Sequence, residues 1–286
     1  MLGAIIGDIV GSRFEFNNHK SIEFELFHRD CSYTDDSICT VAVADWLIQK
    51  GEKQIGFATM LQQWCLKFPN PMGGYGNRFV HWIGEKDPKP NDSFGNGSAM
   101  RIAPVGWAYE TLVETCSVAA EIASVSHNHP EGIKGAQAVA TAVFMARKGH
   151  SKVEIREKIE LEYNYDLNRT CEAIRPDYRY NETCQQTVPE AIIAFLDSTG
   201  FENSIRLAVS LGGDSDTLTC ITGGISEAFY GLPYEIEEKG ESYLPQEIRM
   251  VVAGFYDKYL FAFDHARCFS QIRINSDKTV GNRSSF

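Results

Sequence analysis

The sequence predicts an all-α protein, a domain of many packed helices with little or no β-structure. Segment after segment places apolar residues at helical spacing. The strict alternation of a half-buried strand is almost absent, and the helical stretches end at recognisable stop residues with no repeat or linker between them.

Taken in order, Gly3, Gly7 and Gly11 stand four residues apart in GAIIGDIVGSRFE, a spacing that permits close helix packing. Ile22 to Phe27 (IEFELF) is the best strand candidate, and it is short. Ser37 to Gln49 is apolar on nearly every face, as a buried helix starting just after Asp36 would be. Phe68 to Gly97 breaks the rhythm. Pro, Gly and Asn gather there around Tyr75, Phe79, Trp82 and Phe94, the composition of an ordered, functional loop.

Glu131 to Lys148 puts Ile133, Ala136, Ala140 and Phe144 on one helical face, with Gly149 as its stop. Val188 to Leu196 repeats the pattern, and Pro189 suits a first turn. Leu218 to Tyr230 is helical and rich in small residues, and Gly231-Leu232-Pro233 ends it. Ile248, Val251, Val252, Phe255 and Tyr259 mark one more amphipathic helix. Residues 1–270 are expected to form a single domain, and 271–286 a polar, mobile tail.

A chain of 286 residues can bury a substantial core. Its formal net charge of −11 argues against general binding to nucleic acid or an anionic membrane, which needs clustered Lys and Arg. One local anion site stays open, because backbone N–H groups can supply it. The eight cysteines, at 31, 39, 65, 116, 171, 184, 220 and 268, include no C-x-x-C pair, so their spacing gives no zinc site. The start, MLGAIIGDIVG, lacks a basic region and reaches Asp8 too soon for a signal peptide, and no apolar run approaches transmembrane length. The expectation is a reduced, cytoplasmic protein, monomeric by default.

Two acidic clusters stand at helix starts, Thr34-Asp35-Asp36-Ser37 and Gly213-Asp214-Ser215-Asp216-Thr217. N-capping explains one such side chain, but each cluster offers two carboxylates together with hydroxyls. If the two starts face one another, Asp35, Asp36, Asp214 and Asp216 converge, and Thr34 and Thr217 add neutral oxygens. An all-oxygen set suits Mg²⁺, Mn²⁺ or Ca²⁺ rather than zinc, and four carboxylates exceed the need of one ion. Capping and metal binding both remain open at this point. An EF-hand loop from Asp214 fails, because Leu218, Thr219 and Ile225 stand where ligands and glycine are needed.

Three further segments carry candidate groups. Asp8 suits structural hydrogen bonds, while Glu15 is either a surface acid or part of a site. Phe94-Gly95-Asn96-Gly97-Ser98 has the form of a flexible anion-cradling loop leading into a helix. In Ser126-His127-Asn128-His129-Pro130, His127 suits a hydrogen-bonding role and His129 a turn.

Read in order, GAIIGDIVGSRFE (3–15), YTDDS (33–37), FGNGSAMR (94–101), SHNHPEG (126–132) and GGDSDT (212–217) resemble the ADP-ribosylglycohydrolase family, which includes the dinitrogenase reductase-activating glycohydrolases and the ADP-ribosyl-acceptor hydrolases. The resemblance implies a compact, orthogonal multi-helix fold and a binuclear Mg²⁺ or Mn²⁺ site. By that resemblance Thr34, Asp35, Asp36, Asp214, Asp216 and Thr217 hold the metals. It places Glu15 at the same site, as a ligand or a movable acid/base group, and Ser93, Phe94, Gly95, Asn96, Gly97, Ser98 and His127 along the ADP-ribose cleft. Ser37 and Ser215 replace the commoner Thr and keep the hydroxyl.

The implied reaction is cleavage of ADP-ribose from a protein side chain at C1″, through an oxocarbenium-like transition state. The implied substrate is an ADP-ribosylated protein, with arginine as the favoured acceptor and serine or O-acyl-ADP-ribose open. Glu15 and the Asp35/Asp36 pair are the candidate proton-transfer groups. The competing expectations are a relative that binds ADP-ribose without turnover and a two-metal phosphohydrolase that cuts the diphosphate.

Overall fold

In the computed structural model, which describes residues 1–50 and 55–261, the regular elements are all helical. The chain opens with α1 (Leu2–Gly11), a single 3-10 turn (Ser12–Phe14), α2 (Asp35–Gln49) and α3 (Phe57–Lys67). Next come α4 (Asn77–Gly84), α5 (Gly97–Met100), α6 (Ala103–Ala108), α7 (Leu112–Ser124) and α8 (Pro130–Arg147). The second half holds α9 (Lys152–Tyr163), α10 (Cys171–Ile174), α11 (Cys184–Asp197) and α12 (Phe201–Leu211). It closes with α13 (Ser215–Tyr230), α14 (Tyr234–Glu241), α15 (Gln246–Tyr256) and a π turn (Asp257–Phe261). Among the described residues no sheet forms; two isolated bridges join Thr34 to Met72 and Gly95 to Thr183.

Two helices make the centre. Every residue of α1 is buried, and α13 is buried from Ser215 to Glu227. They pack backbone to backbone, because a Cβ on Gly7 would lie 2.0 Å from the Thr219 carbonyl oxygen. Leu2, Ile5, Ile6, Ile9 and Val10 have no exposed surface, and each contributes about 2 kcal/mol by leaving water. Around this pair, α8, α11 and α12 pack on α13, while α2 packs on α1, α3 and α15.

Four expectations change. Ile22 to Phe27 is irregular rather than a strand, since arginines take the carbonyls that a ladder would use. Arg206 donates to the Ile22 and Phe24 oxygens at 3.1 and 2.7 Å, and Arg13 to the Glu25 oxygen at 2.6 Å. The helix expected from Val188 begins at Cys184, which puts Pro189 in its interior and leaves the Gln185 carbonyl without an i+4 amide. The loop from Phe68 to Gly97 contains α4, an amphipathic helix that buries Trp82 and Ile83. The helix expected through Tyr259 ends at Tyr256 and continues as the π turn. The tail at 271–286 lies outside the described residues.

Candidate active site

The site begins at Asp8, fully buried in the middle of α1. Its carboxylate accepts from the Thr34 amide (2.9 Å), the Thr34 hydroxyl (2.8 Å), the Ser37 amide (3.1 Å) and the Ser37 hydroxyl. Burial pushes its pKa up to about 6 against those hydrogen bonds, which leaves it ionised at neutral pH. Asp8 therefore fixes where α2 starts. Thr34 caps that helix by accepting from the Asp36 amide at 3.1 Å, so Asp35 and Asp36 fall in its first turn.

The second acidic segment is set by a turn that needs glycine. Gly212 and Gly213 have φ of 70° and 78°, in the left-handed region. The Gly213 amide donates to Asn18 Oδ1 at 3.1 Å, and a Cβ on Gly212 would fall 1.8 Å from that same oxygen. The turn delivers Asp214 to the N-cap of α13, with Asp216 and Thr217 in the first turn. Asp214 makes no capping bond to the helix; its Oδ2 accepts instead from Asn96 Nδ2 at 2.6 Å. Thr217 Oγ1 donates to Asp36 Oδ1 at 3.3 Å and so joins the two segments.

Carboxylate oxygens of Glu15, Asp214 and Asp216 lie within 4.8 Å of one another. Glu15 Oε2, Asp36 Oδ2 and Asp216 Oδ1 are buried without a hydrogen-bond partner. Burial, then repulsion from Asp216 and Asp8, raises the Glu15 pKa to about 8. Burial likewise raises Asp214 to about 7, while Asp35, Asp36 and Asp216 are pushed well up by burial and by each other's charge. Orphaned, mutually repelling carboxylates with hydroxyls among them fit a hard divalent cation, which would supply the missing partner. Simple capping leaves those orphaned oxygens unexplained.

These groups open on a cleft of about 550 Å³. Glu15, Asp35, Asp36, Asp214, Asp216 and Thr217 are on its wall, whereas Thr34 is fully buried behind it. Of the glycine loop, Ser93, Gly95, Asn96 and Gly97 line the cleft. Phe94 and Ser98 turn away: Phe94 is edge-on to His129, and Ser98 Oγ donates to the Gly132 carbonyl at 2.8 Å. His127 also lines the cleft, and a Cβ on Gly97 would sit 3.1 Å from its Nε2. Burial, with help from Arg101, lowers the His127 pKa to about 3. Arg101 donates to Ser126 Oγ at 2.9 Å, and that hydroxyl lies 2.8 Å from His127 Nδ1. With Ser126 donating to Nδ1, the neutral ring would turn an Nε2–H donor toward the glycine loop.

Other residues complete the cleft, and the Pro-, Gly- and Asn-rich loop marked in the sequence supplies one side of it. Gly73 to Phe79 lines it, and a Cβ on Gly73 would fall 2.6 Å from Glu15 Oε2. Tyr180 and Glu182 come from the connection between α10 and α11, which pairs with the glycine loop through Asn96 N–H to the Glu182 carbonyl at 2.7 Å. Phe16, just past Glu15, also lines the cleft. The loop composition around Tyr75 and Phe79 was the signal for that side; nothing in the sequence marks Phe16, Tyr180 or Glu182.

The family model for ADP-ribosylglycohydrolase matches residues 1–247. ADP-ribosylhydrolase ARH3 of Mus musculus is 26% identical, over 81% of this chain and 83% of its own length. ADP-ribosylarginine hydrolase Tri1 of Pseudomonas putida is 25% identical, over 84% of this chain and 72% of its own. A solved ADP-ribosylglycohydrolase-related protein complex superposes with a TM-score of 0.67 at 22% identity, covering 91% of this chain and 97% of the other, which establishes a shared fold. With most of its length matched by the family model, the chain belongs to the ADP-ribosylglycohydrolase family.

Proposed function

We propose that the protein is a divalent-cation-dependent ADP-ribosyl-acceptor hydrolase, which cuts the bond between C1″ of ADP-ribose and a modified side chain, arginine first. The observation that carries this reading is that Asp36, Asp214, Asp216 and Glu15 line one cleft beside a glycine loop, with orphaned oxygens on Asp36, Asp216 and Glu15.

Asp35, Asp36, Asp214 and Asp216, with the Thr217 oxygen, would hold two Mg²⁺ or Mn²⁺ ions, whereas Thr34, expected among the ligands, lies behind the wall bonded to Asp8 and the Asp36 amide and positions the set. The chemistry supplied there would be Lewis-acid polarisation of substrate oxygens and a more acidic bound water. The chain's own residues do the rest. Backbone around Gly95 to Gly97 and the His127 ring receive the diphosphate in a cleft that Arg78 and Arg101 also line. Asn96 holds Asp214 in place, and Thr217 holds Asp36, so the donors are preorganised. Glu15 borders the cleft, and burial with neighbouring carboxylates raises its pKa, which suits it to protonate the leaving atom.

An arginine-ADP-ribosylated protein incubated with enzyme and Mg²⁺ should release intact ADP-ribose, and EDTA should stop the release. Release undiminished by EDTA, or undiminished in an Asp35→Ala/Asp216→Ala double variant, overturns the mechanism. AMP among the products would point to attack on the diphosphate instead.

A further inference from the structure

We propose that the Phe16–Tyr180 ring pair and the Glu182 carboxylate form an acceptor port that selects a cationic, guanidinium-bearing leaving group; this rests on the hydrolase reading above. Phe16 is 75% exposed and Tyr180 44% exposed, yet their rings are stacked, with centroids 6.2 Å apart and planes 28° from parallel. The Tyr180 hydroxyl donates to Glu182 Oε1 at 2.9 Å. All three line the same cleft as Glu15 and Asp214, so an exposed aromatic face there borders concentrated negative charge.

That combination has a chemical preference. A guanidinium stacks flat on aromatic rings and forks onto a carboxylate, so both features bind it at once. A diphosphate would be repelled by the Glu182 carboxylate. An adenine would stack but gain nothing from the carboxylates. A serine acceptor offers neither a plane nor a charge.

Position in the chain agrees with the chemistry. Phe16 directly follows Glu15 and lines the same cleft, so its ring borders the carboxyl proposed to serve the leaving atom. The Tyr180 segment is fixed rather than loose. Lys20 Nζ donates to the Tyr178 carbonyl at 2.8 Å, and the Glu182 carbonyl accepts from the Asn96 amide at 2.7 Å. The port therefore keeps its shape before substrate arrives.

The test compares wild type with Phe16→Ala and Glu182→Gln in the presence of Mg²⁺. The readouts are kcat/KM on ADP-ribosylarginine and ADP-ribosylserine peptides, the Kd for ADP-ribose, and binding of agmatine, a bare guanidinium, to the ADP-ribose complex. The arginine-to-serine ratio of kcat/KM should fall about tenfold in each variant, and agmatine binding should weaken by about the same factor. The Kd for ADP-ribose should stay within about twofold. An unchanged ratio overturns the port. An ADP-ribose Kd weakened about tenfold makes the rings an adenine platform and also overturns it. Wild type releasing ADP-ribose from neither peptide defeats the hydrolase reading, and agmatine binding then still decides whether a guanidinium is taken.

Discussion

Thr217 Oγ1 donates a hydrogen bond to Asp36 Oδ1 at 3.3 Å, between residues 181 positions apart in the chain. It ties the start of α13 to the start of α2, so each half of the acidic set is positioned by the other. Asp36 Oδ2 and Asp216 Oδ1, on the two sides of this tie, are both buried without a hydrogen-bond partner.

Asp216→Asn removes one repelling charge from a buried group. Without divalent cation, this variant should melt above wild type. Saturating Mn²⁺ should raise the melting temperature of wild type by about 5–10 °C and that of the variant little. Thermal scans with EDTA and with Mn²⁺ decide it, and an equal rise in both proteins removes Asp216 from the ligand set.

Stability should depend on pH in a defined direction. Glu15 and Asp214 have folded pKa values raised to about 8 and about 7, above their ordinary 4.5 and 3.8. A raised carboxyl favours the fold below its unfolded pKa, and that advantage is lost as pH rises through 7 to 8. In EDTA, the melting temperature should fall between pH 5.5 and 8.5, and saturating Mg²⁺ should flatten the slope. His127, lowered to about 3, acts in the other direction, costing stability as pH falls below about 6.5.

Asp8→Asn sets amide N–H groups against donors that now point at a carboxylate. Two backbone amides and two hydroxyls lose acceptor strength in a site with no water access. The variant should lose about 2–3 kcal/mol in urea unfolding and bind Mn²⁺ more weakly, although Asp8 is not itself on the cleft wall. Unchanged Mn²⁺ affinity would separate Asp8 from the site.

Gly7→Ala should be among the most damaging single-methyl changes in the chain. The added carbon meets backbone, which cannot rotate away, so α1 must shift off α13. A loss of about 2–3 kcal/mol, or about 5–10 °C in melting temperature, is expected, against little change for Gly56→Ala, where the same carbon meets open space.

Much of this was legible in the sequence. The helical period of α2, α8 and α13 survives because each is buried on most of its surface, and the acidic turns are conspicuous because carboxylates rarely precede such segments. The stretch at Ile22 to Phe27 misled because it is apolar in alternation, yet its carbonyls are bonded by arginines, one of them 182 positions away from Phe24. The start of α11 was hidden by Cys184, Gln185, Gln186 and Thr187, four residues without an apolar stripe. Phe16, Tyr180 and Glu182 could not be found by pattern, since their association depends on tertiary proximity across a connection that has no period of its own.

Because Gly7 presses α1 onto α13 while Asp8 one residue later grips the start of α2, both acidic segments take their bearings from one short helix. A deletion of residues 2–11 would remove none of the proposed ligands, yet it would erase the common datum from which their separation is measured. Truncation of that helix is thus a lesion in cation chemistry as much as in folding, inflicted on a segment that carries no proposed ligand.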